Sequence, residues 1–219
     1  MKSLNPYFNS LRQVLEAERA PGGLQASTKQ SQTSVYFLRE LEKSLLSSNS
    51  RDNCIHLLPI FPSLVGTVVK LLSSSISPEQ CSFVHVEKVF STIAVFNAAM
   101  QKLLLSSEIE GAIASINDAE VITRIIQIML LLTGTLEVTK DQQQKNLKSF
   151  DESLPLSCFK CYNLILRIWR HLWVRETPRS LTGPFLAQII QTSLFFTRSS
   201  NLKATGCSII FLHFSIENI

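Results

Sequence analysis

Apolar residues recur every three or four positions along most of the chain, which is the spacing of one face of an α-helix. This period is clearest over residues 34–46, 78–105 and 153–175. No segment alternates apolar and polar residues with a period of two, and there is no strand–helix–strand rhythm. The pattern therefore predicts an all-α fold.

Breaks in this pattern divide the N-terminal part of the chain. Pro6 is typical of the first turn of a helix, which we predict to continue to about Arg19. Residues 22–33 are rich in Gln, Ser and Thr, and we predict that they form a flexible linker. The predicted organisation is thus an N-terminal helix and linker over residues 1–33, followed by one helical domain over residues 34–219.

Two prolines interrupt the next apolar segment. Proline removes a backbone hydrogen bond inside a helix and clashes with the preceding turn. Pro59 and Pro62 therefore predict one short helix over residues 52–58 and a second over residues 62–72.

A segment in the middle of the chain is apolar almost all round. A helix with hardly any polar face is expected to be buried on several sides, so we place residues 121–132 at the centre of the fold. Gly134 is predicted to end this helix. The polar residues 135–150 are then expected to form an exposed connection that is helical only in part.

Helix starts are predicted near residues 34, 78, 118, 153 and 200, a spacing of roughly 40 residues. This rhythm resembles that of armadillo and HEAT proteins, and the resemblance covers residues 34–219. It implies antiparallel helical hairpins stacked as an array of about seven to nine helices, which binds partners on an extended surface.

Composition is compatible with a large core. Hydrophobic residues make up 45% of the 219 residues and charged residues 17%, below the roughly 25% of an average soluble domain. The chain ends at Ile219 in apolar sequence, whereas a helical array usually closes with a polar outer face. We weigh two explanations equally: a fragment or shortened form of a longer protein, or a last helix that docks into the core.

Cysteine usage and the N-terminus bear on the cellular compartment. Five cysteines, an odd number, occur without the apolar N-terminal segment of a signal peptide. We therefore expect reduced thiols and a location in the nucleus or cytoplasm rather than secretion. No stretch reaches the roughly 18 uninterrupted apolar residues that a membrane span needs, so we expect none.

One pair of cysteines has the CxxC spacing of redox and zinc proteins. Cys158 and Cys161 lie near the start of a predicted helix. A redox pair of the thioredoxin kind would follow a strand, which is not predicted here. A zinc site would need two further ligands, for which Cys81 and His85, one helical turn apart, are candidates. Two small buried thiols are the better interpretation.

Other patterns that carry chemistry are missing from the sequence. There is no glycine-rich phosphate-binding loop. The acidic residues form no pair suited to acid–base catalysis, and Asp118 and Glu120 stand at a helix start, where negative charge favours the helix dipole. We therefore predict no enzymatic activity, no cofactor and no bound metal.

The helix predicted over residues 153–175 separates cationic from apolar residues onto opposite faces. The candidate partner-binding residues are Lys160, Arg167, Arg170, His171, Arg175 and Arg179, the last just beyond the helix. Such a basic face binds an acidic protein surface or a phosphate backbone, or is simply the solvated side of the helix. The net charge of +4 is small for a dedicated nucleic-acid binder.

The sequence favours a non-enzymatic intracellular scaffold or adaptor that binds partner proteins through helical surfaces. The alternative is a nucleic-acid-associated adaptor in a genome-maintenance complex, in DNA repair or recombination, that uses the basic face. Charge reversal at Arg167 and Arg170 separates the two, because only the alternative predicts salt-sensitive binding to DNA or RNA.

Overall fold

The computed structural model describes residues 6–19, 24–47, 52–75, 83–105, 119–144 and 153–173, together with Ala187, Gln191 and Leu194. All of these residues are helical except Leu105, which forms a turn, and no strand occurs among them. The prediction of an all-α fold is confirmed for this part of the chain.

Seven α-helices follow one another in the described ranges. They are α1 (Pro6–Arg19), α2 (Leu24–Ser47), α3 (Asp52–Leu57), α4 (Phe61–Ser75), α5 (Phe83–Leu104), α6 (Ala119–Gln144) and α7 (Ser153–Trp173). A 3-10 turn over Leu58–Ile60 joins α3 to α4, so the described residues form six helical runs.

The prolines shape the α3–α4 run as predicted. Pro59 lies in the 3-10 turn, where the hydrogen-bond pattern of an α-helix is already interrupted. Pro62 lies in the first turn of α4, where a backbone N–H has no partner inside the helix. The chain therefore passes both prolines while keeping its helical path, and the Phe61 N–H donates to the Leu58 carbonyl.

The predicted linker is wrong over most of its length. Helix α2 begins at Leu24, so residues 24–33 are helical rather than flexible. Their Gln, Ser and Thr residues have only modestly unfavourable helix propensities, and no Gly or Pro follows Gly23 before the end of the helix. Helix α2 packs against both α1 and α5, which supplies tertiary contacts that a propensity argument omits. The division into residues 1–33 and 34–219 stays a prediction.

The chain divides into two compact units, unit 1 (Met1–Ile128) and unit 2 (Met129–Ile219). In unit 1, α5 packs against α2 and α4, and α1 packs against α2. Helix α5 buries an almost continuous set of side chains: Val89, Ile93, Val95, Phe96, Ala98, Ala99, Met100 and Leu103. Val86, near the start of the helix, is 44% exposed.

Helix α6 differs from the prediction in two respects. It continues through Gly134 to Gln144, and Leu136 and Thr139 are buried beyond the glycine. A glycine inside a helix costs only about 1 kcal/mol relative to alanine, which such burial outweighs. The helix also has an exposed side, because Leu130 is 51% exposed while Leu132 is fully buried. It is therefore not buried all round.

In the described part of the chain, two helical segments are long and apolar enough to cross a membrane. Ile55–Ser75 has a mean hydropathy of 1.7 and Glu120–Thr139 one of 1.6. Half of the first window and 44% of the second are buried inside the structure. The expectation of no membrane span stays a prediction.

Candidate functional site

Helix α7 carries the basic face and has a well-defined inner side. Its buried residues are Cys158, Phe159, Cys161, Tyr162, Ile165, Leu166 and Ile168. Spacings of three and four within this set place the side chains on one broad stripe of the helix. The helix starts at Ser153, and Pro155 lies in its first turn, where proline is tolerated. The predicted amphipathic helix is confirmed over Ser153–Trp173.

A buried hydrogen-bond chain supports α7 inside unit 2. The Tyr162 hydroxyl lies 2.8 Å from the Thr133 hydroxyl, which donates to the Met129 carbonyl at 2.9 Å. Either hydroxyl can donate in the first bond, because the Tyr162 hydroxyl also lies 3.4 Å from the Met129 carbonyl. Burial is the main cause of the raised pKa of Tyr162, so its hydroxyl keeps its proton. The tyrosine thereby sets the rotation of α7 about its own axis.

Two of the six candidate partner-binding residues are described as side chains, and both are exposed. Lys160 and Arg167 are seven residues apart, which places them on the same face, away from the buried stripe. No carboxylate of the described residues forms an ion pair with either of them. Arg170 and His171 belong to α7, but their side chains lie outside the described part, as do Arg175 and Arg179.

The CxxC pair lies on the opposite side of α7. Cys158 and Cys161 are free thiols and fully buried, which confirms their predicted burial. Loss of solvation raises the pKa of both thiols well above the usual range, so neither is present as the thiolate that attacks disulfides or binds zinc. No group of three His, Cys, Asp or Glu residues suited to a metal ion occurs in the described ranges. Cys81 and the side chain of His85 lie outside them.

Unit 1 contains a second polar feature, which the sequence interpretation missed. An open groove of about 500 Å³ is lined by Leu15 of α1, by Ser63, Gly66, Thr67, Val69 and Lys70 of α4, and by Arg124 and Gln127 of α6. Two features of the sequence could have indicated this groove: the isolated cation Arg124 inside an apolar helix, and Gly66 inside another helix. Nothing in the local pattern indicated that the two would meet.

The helices and the exposed cations are the basis for any functional interpretation. Comparison of the chain with known protein families, with curated proteins and with solved structures found no match.

Proposed function

We propose that this protein is a non-enzymatic scaffold or adaptor that binds an acidic surface of a partner protein through the exposed face of α7. The observation that carries the proposal is the position of Lys160 and Arg167, two exposed cations on one face without an ion-pair partner among the described residues. Cations in this state attract an anionic surface, because binding does not require an existing ion pair to break.

The rigidity of α7 supports the same proposal. Its inner side is anchored by fully buried residues and by the Tyr162–Thr133 hydrogen bond. A face presented on an anchored helix loses little conformational entropy when a partner binds. Arg170 and His171 lie on the same helix, and we propose that they extend this face together with Arg175 and Arg179.

We further propose that the helices stack as an armadillo- or HEAT-like array of about seven to nine helices and that the protein acts in the nucleus or cytoplasm. The packing of sequential neighbours supports an array, since α1 packs on α2 and α4 packs on α5. We also propose that the protein has no membrane span and binds no cofactor.

The test is a charge reversal on the described part of the face. The Lys160→Glu/Arg167→Glu variant and the wild type are purified from cell lysate with bound proteins, which are identified by mass spectrometry. We expect at least one protein with an acidic surface to be lost about tenfold or more from the variant, since each lost ion pair and each new repulsion weakens the complex.

The matched control is Arg12→Glu/Lys43→Glu, which changes the net charge by the same amount at two exposed cations of unit 1. It should retain the partner. If both double variants lose it equally, only the net charge matters and the proposal fails. Partners that disappear after nuclease treatment of the lysate would instead support the nucleic-acid-associated adaptor.

A further inference from the structure

The groove of unit 1 presents two cations on different helices. Lys70 lies on α4, and Arg124 lies on α6. Gly66 also lines the groove, lies against Arg124 and is one helical turn before Lys70. The other polar groups of the lining are the side chains of Ser63, Thr67 and Gln127, and the apolar ones are Leu15 and Val69.

Gly66 allows the Arg124 side chain to lie directly against the backbone of α4. A Cβ atom at position 66 would stand 2.5 Å from Nη1 of Arg124, closer than side chains come in folded proteins. The guanidinium donates to the Pro62 carbonyl at 3.4 Å and pairs with Glu120 one turn earlier on α6. These contacts hold the arginine in one place and leave it 35% exposed at the groove.

Lys70 is exposed and has no ion-pair partner among the described residues. The Thr67 hydroxyl donates to the Ser63 carbonyl, so it is engaged within α4. Within the described ranges, the charged groups at the groove are therefore Lys70, Arg124 and the carboxylate of Glu120 that pairs with Arg124. The charges of these three groups sum to one positive charge.

We propose that this groove binds one carboxylate of an acidic side chain on a partner polypeptide, held between Lys70 and Arg124. One excess positive charge matches a single carboxylate rather than a doubly charged phosphate group. Arg124 has further N–H groups beyond those that serve Pro62 and Glu120, and Lys70 adds a point charge. Leu15 and Val69 provide apolar surface for the aliphatic part of a glutamate. The groove shares no residue with the α7 face, and the inference does not rest on the function proposed above.

The experiment is an NMR titration of the full chain labelled with 15N-glycine, in which the signal of Gly66 reports on the groove. That signal is assigned by its absence from the spectrum of Gly66→Ala. The probe is N-acetyl-hexaglutamate amide, added to about 10 mM because a site for one carboxylate is expected to bind in the millimolar range. We expect the Gly66 signal to shift with saturation, while the signal of Gly134 in unit 2 stays in place.

Lys70→Glu should weaken this binding by about tenfold or more, because it replaces attraction by repulsion. Lys43→Glu is the matched control, since Lys43 is also an exposed lysine of unit 1 but does not line the groove. It should leave the Gly66 shift unchanged. The Lys160→Glu/Arg167→Glu variant should also leave it unchanged, which separates a failure here from a failure of the α7 proposal.

Three results would overturn the inference. They are no shift of Gly66, a shift that Lys70→Glu preserves, and an equal shift with N-acetyl-hexaglutamine amide, which lacks the charges. An equal shift with 10 mM inorganic phosphate, about the same concentration as the peptide, would also overturn the assignment to a carboxylate.

Discussion

At the scale of single residues, the Lys102 side chain connects helices that are far apart in the chain. The Lys102 ammonium group of α5 donates to the Tyr7 hydroxyl at 3.1 Å and to the Leu45 carbonyl at 3.0 Å. The carbonyl belongs to the last turn of α2, where backbone acceptors lack partners inside the helix. One side chain therefore joins α1, α2 and α5 and completes the C-terminal end of α2.

Glu42 of α2 is a residue whose burial is only partly compensated. Loss of solvation is the larger effect and raises its pKa, and the nearby charge of Arg39 acts in the opposite direction. A carboxyl group whose pKa is higher in the folded than in the unfolded protein binds more protons when folded. Its effect therefore lowers the free energy of unfolding as the pH rises from the unfolded pKa, about 4.3, through the folded pKa.

We accordingly expect Glu42→Gln to be more stable than the wild type at pH 7, with the difference shrinking as the pH falls through the raised pKa of folded Glu42 and absent below the unfolded pKa, about 4.3. Urea unfolding followed by circular dichroism at several pH values measures the difference in the free energy of unfolding between the variant and the wild type. Glu40→Gln is the control, since Glu40 pairs with Lys43 at 2.8 Å and its removal should bring no gain at neutral pH. A variant at position 42 that is less stable at pH 7 would contradict the argument.

At the scale of helices, where a helix begins and ends depends on whether local sequence signals outweigh the packing of its side chains. The starts of α1 and α7 follow the sequence pattern, because Pro6 and Pro155 lie in the first turns of these helices. Gly134 did not end its helix, and the polar residues 24–33 did not form a linker, because each of these residues disfavours a helix only weakly. Buried contacts on both sides of such positions can maintain the helix, as Leu132 and Leu136 do around Gly134.

Gly134 therefore offers a direct test of this balance. No atom outside its own helix backbone lies within 4 Å of where a Cβ would be. Gly134→Ala should raise the free energy of unfolding by about 0.4–1 kcal/mol, since alanine loses less conformational entropy on folding. Urea denaturation measures the change. Gly66→Ala is the comparison, and it should gain less, because its Cβ must displace Arg124. An equal gain at both positions would show that Arg124 is not held against Gly66.

At the scale of the whole molecule, the chain forms two compact units, and the CxxC pair reports on the second. Cys158 and Cys161 are buried in unit 2 with strongly raised pKa values. A thiol reagent reacts with the thiolate, so both cysteines should react only after this unit opens. Their chemistry thus depends on the stability of the fold rather than on a reactive site.

We expect a variant in which Cys54, Cys81 and Cys207 are replaced by serine to react with a chromogenic disulfide reagent far more slowly in native buffer than in urea. The amplitude of reaction against urea concentration should follow the loss of the far-ultraviolet helix signal. Unfolded protein in high urea is the control for the intrinsic rate. Complete reaction at that rate in native buffer would contradict the burial of Cys158 and Cys161.

The candidate site could be anticipated in part. Periodicity placed Lys160 and Arg167 opposite the apolar face of α7, and the structure places both on the exposed side. The groove of unit 1 could not be anticipated, because it depends on the meeting of Arg124 with a carbonyl 62 residues away. Sequence patterns describe residues that are neighbours within a few helical turns, and they do not predict contacts between residues far apart in the chain.

The sequence by itself determined the all-helical character of the described chain, the break at Pro59 and the amphipathic division of α7. These features follow from local hydrogen bonding and from the period of 3.6 residues. Only the tertiary structure decided that α2 begins at Leu24, that α6 passes Gly134 and that Gly66 receives Arg124. Each of these depends on which apolar surfaces meet, and that choice adds burial energies larger than the local preferences of the residues involved.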